Sequence, residues 1–190
     1  MQPKSFYIHT IGCQMNVSDS ERIARGLIPL GYVPALSADV ADLVVVNTCS
    51  VRAKAEQKAH SLLGQLAAAK ARRPEMVVAV AGCVAQQEGE RICRRAPHVD
   101  LVVGTHAVHR LGGLLRRLAS RGGPLVDIAM NGFSEEPEAA TAAADAGGPS
   151  RFVTIMRGCD NFCAYCVVPH VRGRETSRPP EAILDEIRRL

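Results

Sequence analysis

Cysteines that closely follow short apolar runs constrain the fold of this chain more than any other feature of its sequence. Three runs of the buried-strand type, at residues 5–11, 43–46 and 76–81, precede Cys13, Cys49 and Cys83. Segments with helical periodicity separate the runs, and this alternation is typical of a parallel sheet with helices on both faces. Two further runs, at residues 101–104 and 125–128, continue the pattern. We therefore predict an α/β fold with a parallel sheet over residues 1–130.

The segments between the runs predict helices that cover the sheet. Ser18 or Asp19 is a suitable N-cap for the first helix, because its side-chain oxygen accepts a hydrogen bond from a free backbone N–H group. Pro74 ends the second helix, since proline cannot donate the backbone hydrogen bond that a helix interior requires. The expected helices lie at residues 20–30, 52–73, 86–95 and 106–121.

The three cysteines that follow the runs indicate a metal site. In parallel sheets ligands bind at the carboxyl ends of the strands, where Cys13, Cys49 and Cys83 are expected to converge. The alternative is that they are ordinary buried cysteines, which are common at strand ends. Cys93 falls within a predicted helix, where a buried or half-buried core thiol is expected. The chain has seven cysteines and no sign of export, so a disulfide framework is not expected.

A second group of cysteines, with the spacing C-x3-C-x2-C, lies at Cys159, Cys163 and Cys166. A four-iron cluster has four corners, so three thiolates hold three irons and leave the fourth iron open to a small molecule. The alternative is a zinc knuckle with His170 as its fourth ligand, since structural zinc sites close their shell with four ligands. The spacing favours the iron–sulfur cluster and resembles that of the radical S-adenosylmethionine (SAM) enzymes.

The C-terminal part of the sequence predicts a second domain that the chain only begins. Residues 131–150 contain four acidic residues and no basic residue among many alanines and glycines, which predicts a flexible acidic linker. Residues 152–156 predict a strand that leads into the second cysteine group, and Pro179 and Pro180 then open a helix with one apolar face. One strand and one helix cannot enclose a core, so we expect residues 151–190 to be the start of a truncated α/β barrel.

Charge and hydropathy restrict the partners and the compartment of the protein. The formal net charge of +4 permits an RNA partner but does not require one. No apolar run approaches the roughly 20 residues that span a bilayer, and the N-terminus does not have the pattern of a signal peptide. We therefore expect a cytoplasmic protein without a membrane partner, and a monomer as its state.

Four ordered motifs resemble those of the methylthiotransferase family of radical SAM enzymes. They are TIGCQMN at residues 10–16 with DSE at 19–21, NTCSVR at 47–52 with KA at 54–55, AGCVAQ at 81–86, and RGCDNFCAYC at 157–166. The motifs are distributed over most of the chain in the order that the family has them. The resemblance implies an N-terminal methylthiotransferase domain followed by the beginning of a radical SAM domain.

The resemblance also implies two cofactor sites. An auxiliary 4Fe-4S cluster would take Cys13, Cys49 and Cys83, and the SAM-binding 4Fe-4S cluster would take Cys159, Cys163 and Cys166. Tyr165 matches the aromatic position that in this family lies against the adenine of S-adenosyl-L-methionine. As in the family, one SAM would methylate sulfur held at the auxiliary cluster, and a second would yield the radical that removes a hydrogen from the substrate. The motifs identify no catalytic side chain, electron donor or sulfur source.

The segment RGRETSRP at residues 172–179 resembles the tRNA-modifying branch of the family. The implied substrate is the anticodon stem-loop of tRNA, where carbon 2 of N6-isopentenyladenosine at position 37 receives the methylthio group. The arginines of the segment are candidates for tRNA contacts, and Glu175 for a hydrogen bond to an adenine or to one of those arginines, unless the segment is only a solvated loop. The branch that modifies a ribosomal-protein aspartate usually has an apolar residue at that position and is the alternative function. A further alternative is that these 190 residues alone form an inactive iron–sulfur binding module.

Overall fold

A computed structural model describes residues 3–130 and 151–189, so the linker predicted at residues 131–150 lies outside the described residues. The N-terminal part contains a sheet of six strands. They are β1 (Lys4–Ile11), β2 (Tyr32–Pro34), β3 (Leu43–Thr48), β4 (Val77–Gly82), β5 (Leu101–Val103) and β6 (Leu125–Asp127). The strands lie in the order β2-β1-β3-β4-β5-β6, and all neighbours are parallel. The predicted α/β fold with a parallel sheet is confirmed.

Helices cover both faces of the sheet. They are α1 (Gln14–Leu27), α2 (Ala53–Arg72), α3 (Cys83–Glu88), α4 (Glu90–Arg95) and α5 (Leu111–Arg121). Successive side chains of a strand point to opposite faces, so Val45 packs with α1 and α5, whereas Val44 and Val46 pack with α2 and α4. All six residues of β3 are buried, as expected for a central strand of a doubly covered sheet. Within the described residues, no helix has the length and apolar character needed to cross a membrane.

The first helix begins earlier than the sequence predicts. α1 starts directly after Cys13, which is its N-cap. The backbone N–H of Cys13 donates to Oδ1 of Asn16 over 3.3 Å. Ser18 and Asp19 therefore lie inside the helix, and their prediction as caps is wrong. Cysteine is not among the preferred N-cap residues, so this cap was not visible in the sequence.

Two other helices differ in part from the prediction. The helix predicted at residues 86–95 is divided into α3 and α4, because Gly89 between them has a φ of +51° that breaks the helical path. The helix predicted at residues 106–121 opens with a 3-10 turn at Val108–Arg110 before α5 begins. The helix predicted at residues 52–73 is confirmed as α2. The predicted end of the last helix before Gly122 is confirmed for α5. The edge strand β2 was not predicted.

Residues 151–189 form a small unit that packs against the carboxyl edge of the sheet. Its elements are β7 (Met156–Arg157), α6 (Val168–Arg172), β8 (Thr176–Ser177) and α7 (Pro180–Arg189). The strand predicted at residues 152–156 is wrong except for Met156, since β7 has two residues and pairs antiparallel with β8. Arg178 holds the backbone before β7, and its Nη1 donates to the carbonyl of Thr154 over 2.8 Å. The helix that Pro180 opens is confirmed, whereas α6 was not predicted.

α7 leaves part of its apolar face exposed. Leu184 and Ile187 are 50% and 52% exposed. Glu186 is buried instead, because its carboxylate pairs with the guanidinium of Arg178. About half of each of these two apolar side chains is therefore open to solvent in the described part of the chain.

We expect Gly82→Ala to destabilise the fold strongly. Gly82 has a φ of +90°, and an added Cβ would lie 2.4 Å from the carbonyl oxygen of Thr48. Backbone strain and overpacking together are expected to lower the free energy of unfolding by about 3 kcal/mol or more. Gly64→Ala in α2 is the matched control, because no atom lies within 4 Å of an added Cβ there.

The control variant is expected to raise the free energy of unfolding by roughly 0.5–1 kcal/mol, since alanine is the better helix former. Urea unfolding followed by circular dichroism measures both variants. Equal stabilities of the two proteins would contradict the tight packing at Gly82.

Candidate metal centre

The carboxyl edge of the sheet brings together the three cysteines that follow the strands. β1, β3 and β4 are neighbours whose last residues are in register, with Thr48 of β3 opposite Gly82 of β4. Cys49 and Cys83 therefore follow directly on two adjacent strand ends, and Cys13 lies two residues beyond the end of β1. The three residues lie at one edge of the sheet, as their positions in the sequence predict.

Two of these three thiols are shielded from solvent. Cys49 is 1% and Cys83 is 3% exposed, whereas Cys13 is half-buried. Gly12 allows the first loop to approach closely, because a Cβ there would lie 2.7 Å from Cβ of Cys49. Burial raises the pKa of the Cys83 thiol, and the guanidinium of Arg172 opposes this rise. The cysteine group therefore opens to solvent on the side of Cys13.

A buried pair of asparagines joins the first turn of α1 to the end of β3. Asn16 and Asn47 are both 0% exposed, although Asn47 directly follows an apolar run. Nδ2 of Asn16 donates to Oδ1 of Asn47 and to the carbonyl of Thr48, both over 3.0 Å. Nδ2 of Asn47 donates in return to the carbonyl of Asn16 over 2.8 Å and to Oγ of Ser20 over 2.9 Å. The start of α1 and the end of β3 are thus fixed to each other, and with them the adjoining Cys13 and Cys49. The sequence signals this role only by a polar residue directly after an apolar run.

Arg172, at the end of α6, reaches into this edge from the C-terminal part of the chain. Its Nη1 donates to Oδ2 of Asp19 over 2.6 Å, and its Nε donates to Sγ of Cys83 over 3.3 Å. The side chains of Arg172 and Asp19 are 4% and 1% exposed. Burial raises the pKa of Asp19, and the adjacent guanidinium acts in the opposite direction by favouring the carboxylate. Nη2 of Arg172 and Oδ1 of Asp19 are buried and have no hydrogen-bond partner among the described residues.

Two further contacts hold α6 against the sheet edge. Oγ1 of Thr105 donates to the carbonyl of Val171 over 2.5 Å, and Nε2 of His106 lies 2.8 Å from the carbonyl oxygen of Arg172. Arg172 is therefore part of the packed interior, and its prediction as a tRNA contact is wrong. Sequence reasoning missed this role because Arg172 pairs with a carboxylate 153 residues earlier in the chain.

The second cysteine group lies in the loop between β7 and α6. Cys163 is exposed, and Cys159 and Cys166 are half-buried. Gly158 precedes the group with a φ of +71°, and a Cβ there would lie 2.0 Å from a backbone carbonyl oxygen. The N–H of Cys159 donates to the carbonyl of Gly173 over 3.2 Å. The loop is therefore closely packed at its start and open at its middle.

Charged and aromatic side chains fix the tip of this loop. Asp160 accepts hydrogen bonds from Nε of Arg174 over 2.7 Å and from the backbone N–H of Glu175 over 3.0 Å. The guanidinium of Arg174 also lies 5.5 Å from the ring centre of Phe162, within the range of a cation–π contact. Tyr165 is 92% exposed, and Glu175 is exposed as well. Both side chains are accessible to a ligand at the surface of the loop.

The geometry of this loop does not support the alternative of a zinc knuckle. A single zinc ion holds its ligands at about 2.0–2.3 Å, so the ligand atoms must lie close to one another. In the described part of the chain, three ligand atoms of His, Cys, Asp or Glu lie within 4.8 Å of one another at Glu56, His60 and Glu88. The described cysteines of this loop and His170 do not form such a group. His170 instead meets the ring of Phe162 edge-on, with the ring centres 6.0 Å apart. The thiolates of a four-iron cluster bind different irons, so this limit does not apply to a cluster.

Cys93 lies in α4 and is separate from both cysteine groups. It is half-buried and packs against the core on the α2 side of the sheet, so the prediction of a core thiol is confirmed. Burial raises the pKa of this thiol, which lowers the fraction of thiolate available to a metal.

Comparisons with known proteins match the chain over most of its length. A family described as "Uncharacterized protein family UPF0004" matches residues 5–104. A relative from Desulfosudis oleivorans is 55% identical over 185 residues, which are 97% of this chain and 40% of the relative. Relatives from Syntrophotalea carbinolica and Geobacter sulfurreducens are 47% and 48% identical, each over 98% of this chain and over 43% and 42% of their own length.

The three relatives share the name tRNA-2-methylthio-N(6)-dimethylallyladenosine synthase. This name confirms the resemblance to the methylthiotransferases that the motifs indicate. The chain spans about two fifths of the length of these curated relatives.

The unequal burial of the thiols predicts unequal reactivity in the metal-free chain. Cys163 is exposed, whereas Cys49 and Cys83 are 1% and 3% exposed. We expect iodoacetamide to alkylate Cys163 at least about tenfold faster than Cys83. Burial restricts access to the Cys83 thiol, and its raised pKa lowers the fraction of reactive thiolate. Peptide mass spectrometry measures each rate, with the chain in urea as the control. Equal rates in the folded chain would show that Cys83 is not shielded.

Proposed function

This chain belongs to the protein family UPF0004, and we propose that the protein of which it is part is a radical SAM tRNA methylthiotransferase. The proposed reaction adds a methylthio group to carbon 2 of N6-isopentenyladenosine at position 37 of tRNA. The names of the relatives support this substrate, since they describe synthases of that methylthio-adenosine. We propose a cytoplasmic monomer.

The convergence of three thiols at one edge of a rigid sheet is the observation that carries the proposal. We propose that Cys13, Cys49 and Cys83 hold an auxiliary 4Fe-4S cluster. The donor set fits this group, because cysteine thiolates are the usual ligands of iron–sulfur clusters and two of the three thiols are buried. Three protein ligands leave one corner of the cluster for an external ligand. The half-buried side at Cys13 is the accessible one.

A second 4Fe-4S cluster is proposed at Cys159, Cys163 and Cys166, where S-adenosyl-L-methionine binds. When bound, such a cluster supplies the electron that cleaves SAM to a radical able to take a hydrogen from an aromatic carbon. The backbone N–H of Cys159 donates a hydrogen bond to the carbonyl of Gly173 and so holds the start of the loop in place. Tyr165 is exposed beside the third cysteine and is proposed to contact the adenine of SAM.

The exposed residues after α6 are proposed to face the anticodon stem-loop of tRNA. Arg174 and Glu175 are exposed next to the second cysteine loop. Arginine side chains bind phosphates or stack on bases, and a carboxylate accepts hydrogen bonds from base amines. Arg178 instead pairs with Glu186 and supports the fold. A carbon-centred radical reacts only with an atom in near contact, so the substrate has to be held in a defined position. We propose that side chains near the loop hold it there.

Anaerobic reconstitution with iron and sulfide is expected to load two clusters, or about eight irons per chain. Replacing Cys159, Cys163 and Cys166 by Ala is expected to leave about four irons at the sheet edge. Cys93→Ala is the matched control and is expected to bind about eight irons, as the parent does. Cys93 lies in α4, outside both cysteine groups. Iron analysis and visible absorption measure the content. One zinc per chain without charge-transfer absorption, or loss of a cluster in Cys93→Ala but not in Cys49→Ala, would refute the assignment.

The full-length protein, with SAM and a reductant, is expected to convert isopentenyladenosine in tRNA to its 2-methylthio derivative. Glu175→Leu is expected to lower the yield about tenfold while both clusters persist, because one hydrogen bond of a charged group is lost. Glu181→Leu is the matched control, since Glu181 is an exposed carboxylate in the first turn of α7. Mass spectrometry of digested tRNA measures the product.

The ribosomal protein whose aspartate the other branch of the family modifies is added as a rival substrate in the same assay. Methylthio groups on its aspartate and none on the nucleoside would overturn the tRNA proposal in favour of the ribosomal-protein enzyme. The 190-residue chain, assayed in parallel, is expected to hold its clusters without turnover.

A further inference from the structure

We propose that Arg172 is a positioning residue of the metal centre at the sheet edge. In this proposal it clamps α6 onto the first cysteine group and donates hydrogen bonds to sulfur atoms of the cluster held there. The proposal rests on the cluster-binding part of the proposed function and does not depend on the substrate.

The guanidinium of Arg172 has one partner on each of two nitrogens and none on the third. Nε donates to Sγ of Cys83 over 3.3 Å, and Nη1 donates to Oδ2 of Asp19 over 2.6 Å. Nη2 is buried without a partner among the residues that the structure describes. A buried cationic N–H group without an acceptor is strongly unfavourable, so an acceptor is expected at this place.

The planar shape of the guanidinium indicates where that acceptor lies. In an arginine, the N–H of Nε and one N–H of Nη2 point in the same direction along one edge of a rigid fork. Nε already donates to the sulfur of Cys83, so one N–H of Nη2 points to the side of the first cysteine group. A sulfur atom of a cluster bound to these cysteines would be an acceptor on that side.

The clamp also relates the two cysteine groups to each other. Cys166 lies two residues before α6, which begins at Val168. The carbonyls near the end of α6 are held by Thr105 and His106, and Arg172 is buried against Asp19. The end of the second cysteine group therefore cannot move relative to the sheet edge without breaking buried polar contacts.

A cation that donates to cluster sulfurs changes the redox properties of the cluster. Reduction adds negative charge, and hydrogen bonds and a nearby positive charge stabilise the more negative form. Loss of Arg172 is therefore expected to lower the midpoint potential of the sheet-edge cluster. A residue that only packs would leave this potential unchanged.

The test uses the reconstituted chain in which Cys159, Cys163 and Cys166 are replaced by Ala, so that one cluster remains. Arg172→Met removes the charge and the donors, and Arg172→Lys keeps the charge without the fork. Arg174→Met is the matched control, since Arg174 is an exposed arginine two residues away. Redox titration followed by visible absorption and electron paramagnetic resonance measures the midpoint potential.

We expect Arg172→Met to lower the midpoint potential, Arg172→Lys to lower it less, and Arg174→Met to leave it as in the parent. Equal potentials in all four proteins at equal iron content would overturn the role of Arg172 and leave the cluster assignment intact. If the parent itself binds no iron, the cluster assignment fails instead.

Hydrogen exchange of the metal-free chains tests the clamp independently and decides the case in which Arg172→Met retains no iron. The backbone amides of residues 168 and 170–173 are expected to exchange faster in Arg172→Met than in the parent and in Arg174→Met. Unchanged exchange in this segment would overturn the clamp.

Discussion

The buried hydrogen bonds between Asn16 and Asn47 are the interaction on which the edge of the sheet depends. Both side chains are 0% exposed, so each polar atom has to find its partner within the protein. One such bond contributes about 0.5–1.5 kcal/mol, but leaving a buried partner unsatisfied costs about 1–3 kcal/mol. The pair therefore tolerates one arrangement of the loops after β1 and β3. The positions of Cys13 and Cys49 follow from this arrangement. Gly82 has no Cβ, which allows the loop after β4 to approach Asn47 and Thr48 closely.

The sheet and the convergence of the cysteines were predictable because local patterns determine them. An apolar run such as residues 43–46 is stable only when it is buried, and parallel strands place their carboxyl ends on one edge. The start of α1 was not predictable, since it depends on an unusual cap at Cys13 and on the side chain of Asn16. The break at Gly89 was likewise missed, because a single glycine is compatible with a continuous helix in a sequence pattern.

The C-terminal part was less predictable because its structure depends on contacts over long sequence distances. Residues 152–156 have the composition of a strand, but β8 offers a partner of only two residues, so β7 is equally short. Arg172 looks like a surface residue of a basic segment, and it becomes an interior residue because Asp19 is buried on α1. A charged residue that is buried by a distant partner leaves no periodic signal in the sequence. The role of Arg172 was visible only once α6 was seen to pack on the sheet edge.

The contact between Arg172 and Asp19 has a consequence for the order of events on the ribosome. The two residues are 153 positions apart, and the last strand of the sheet ends at Asp127. Translation therefore completes the sheet before the segment that carries Arg172 leaves the exit tunnel. During this interval Asp19 lacks the guanidinium that donates to it in the folded chain, and the edge that carries Cys83 is uncovered. The arrival of α6 then encloses this edge.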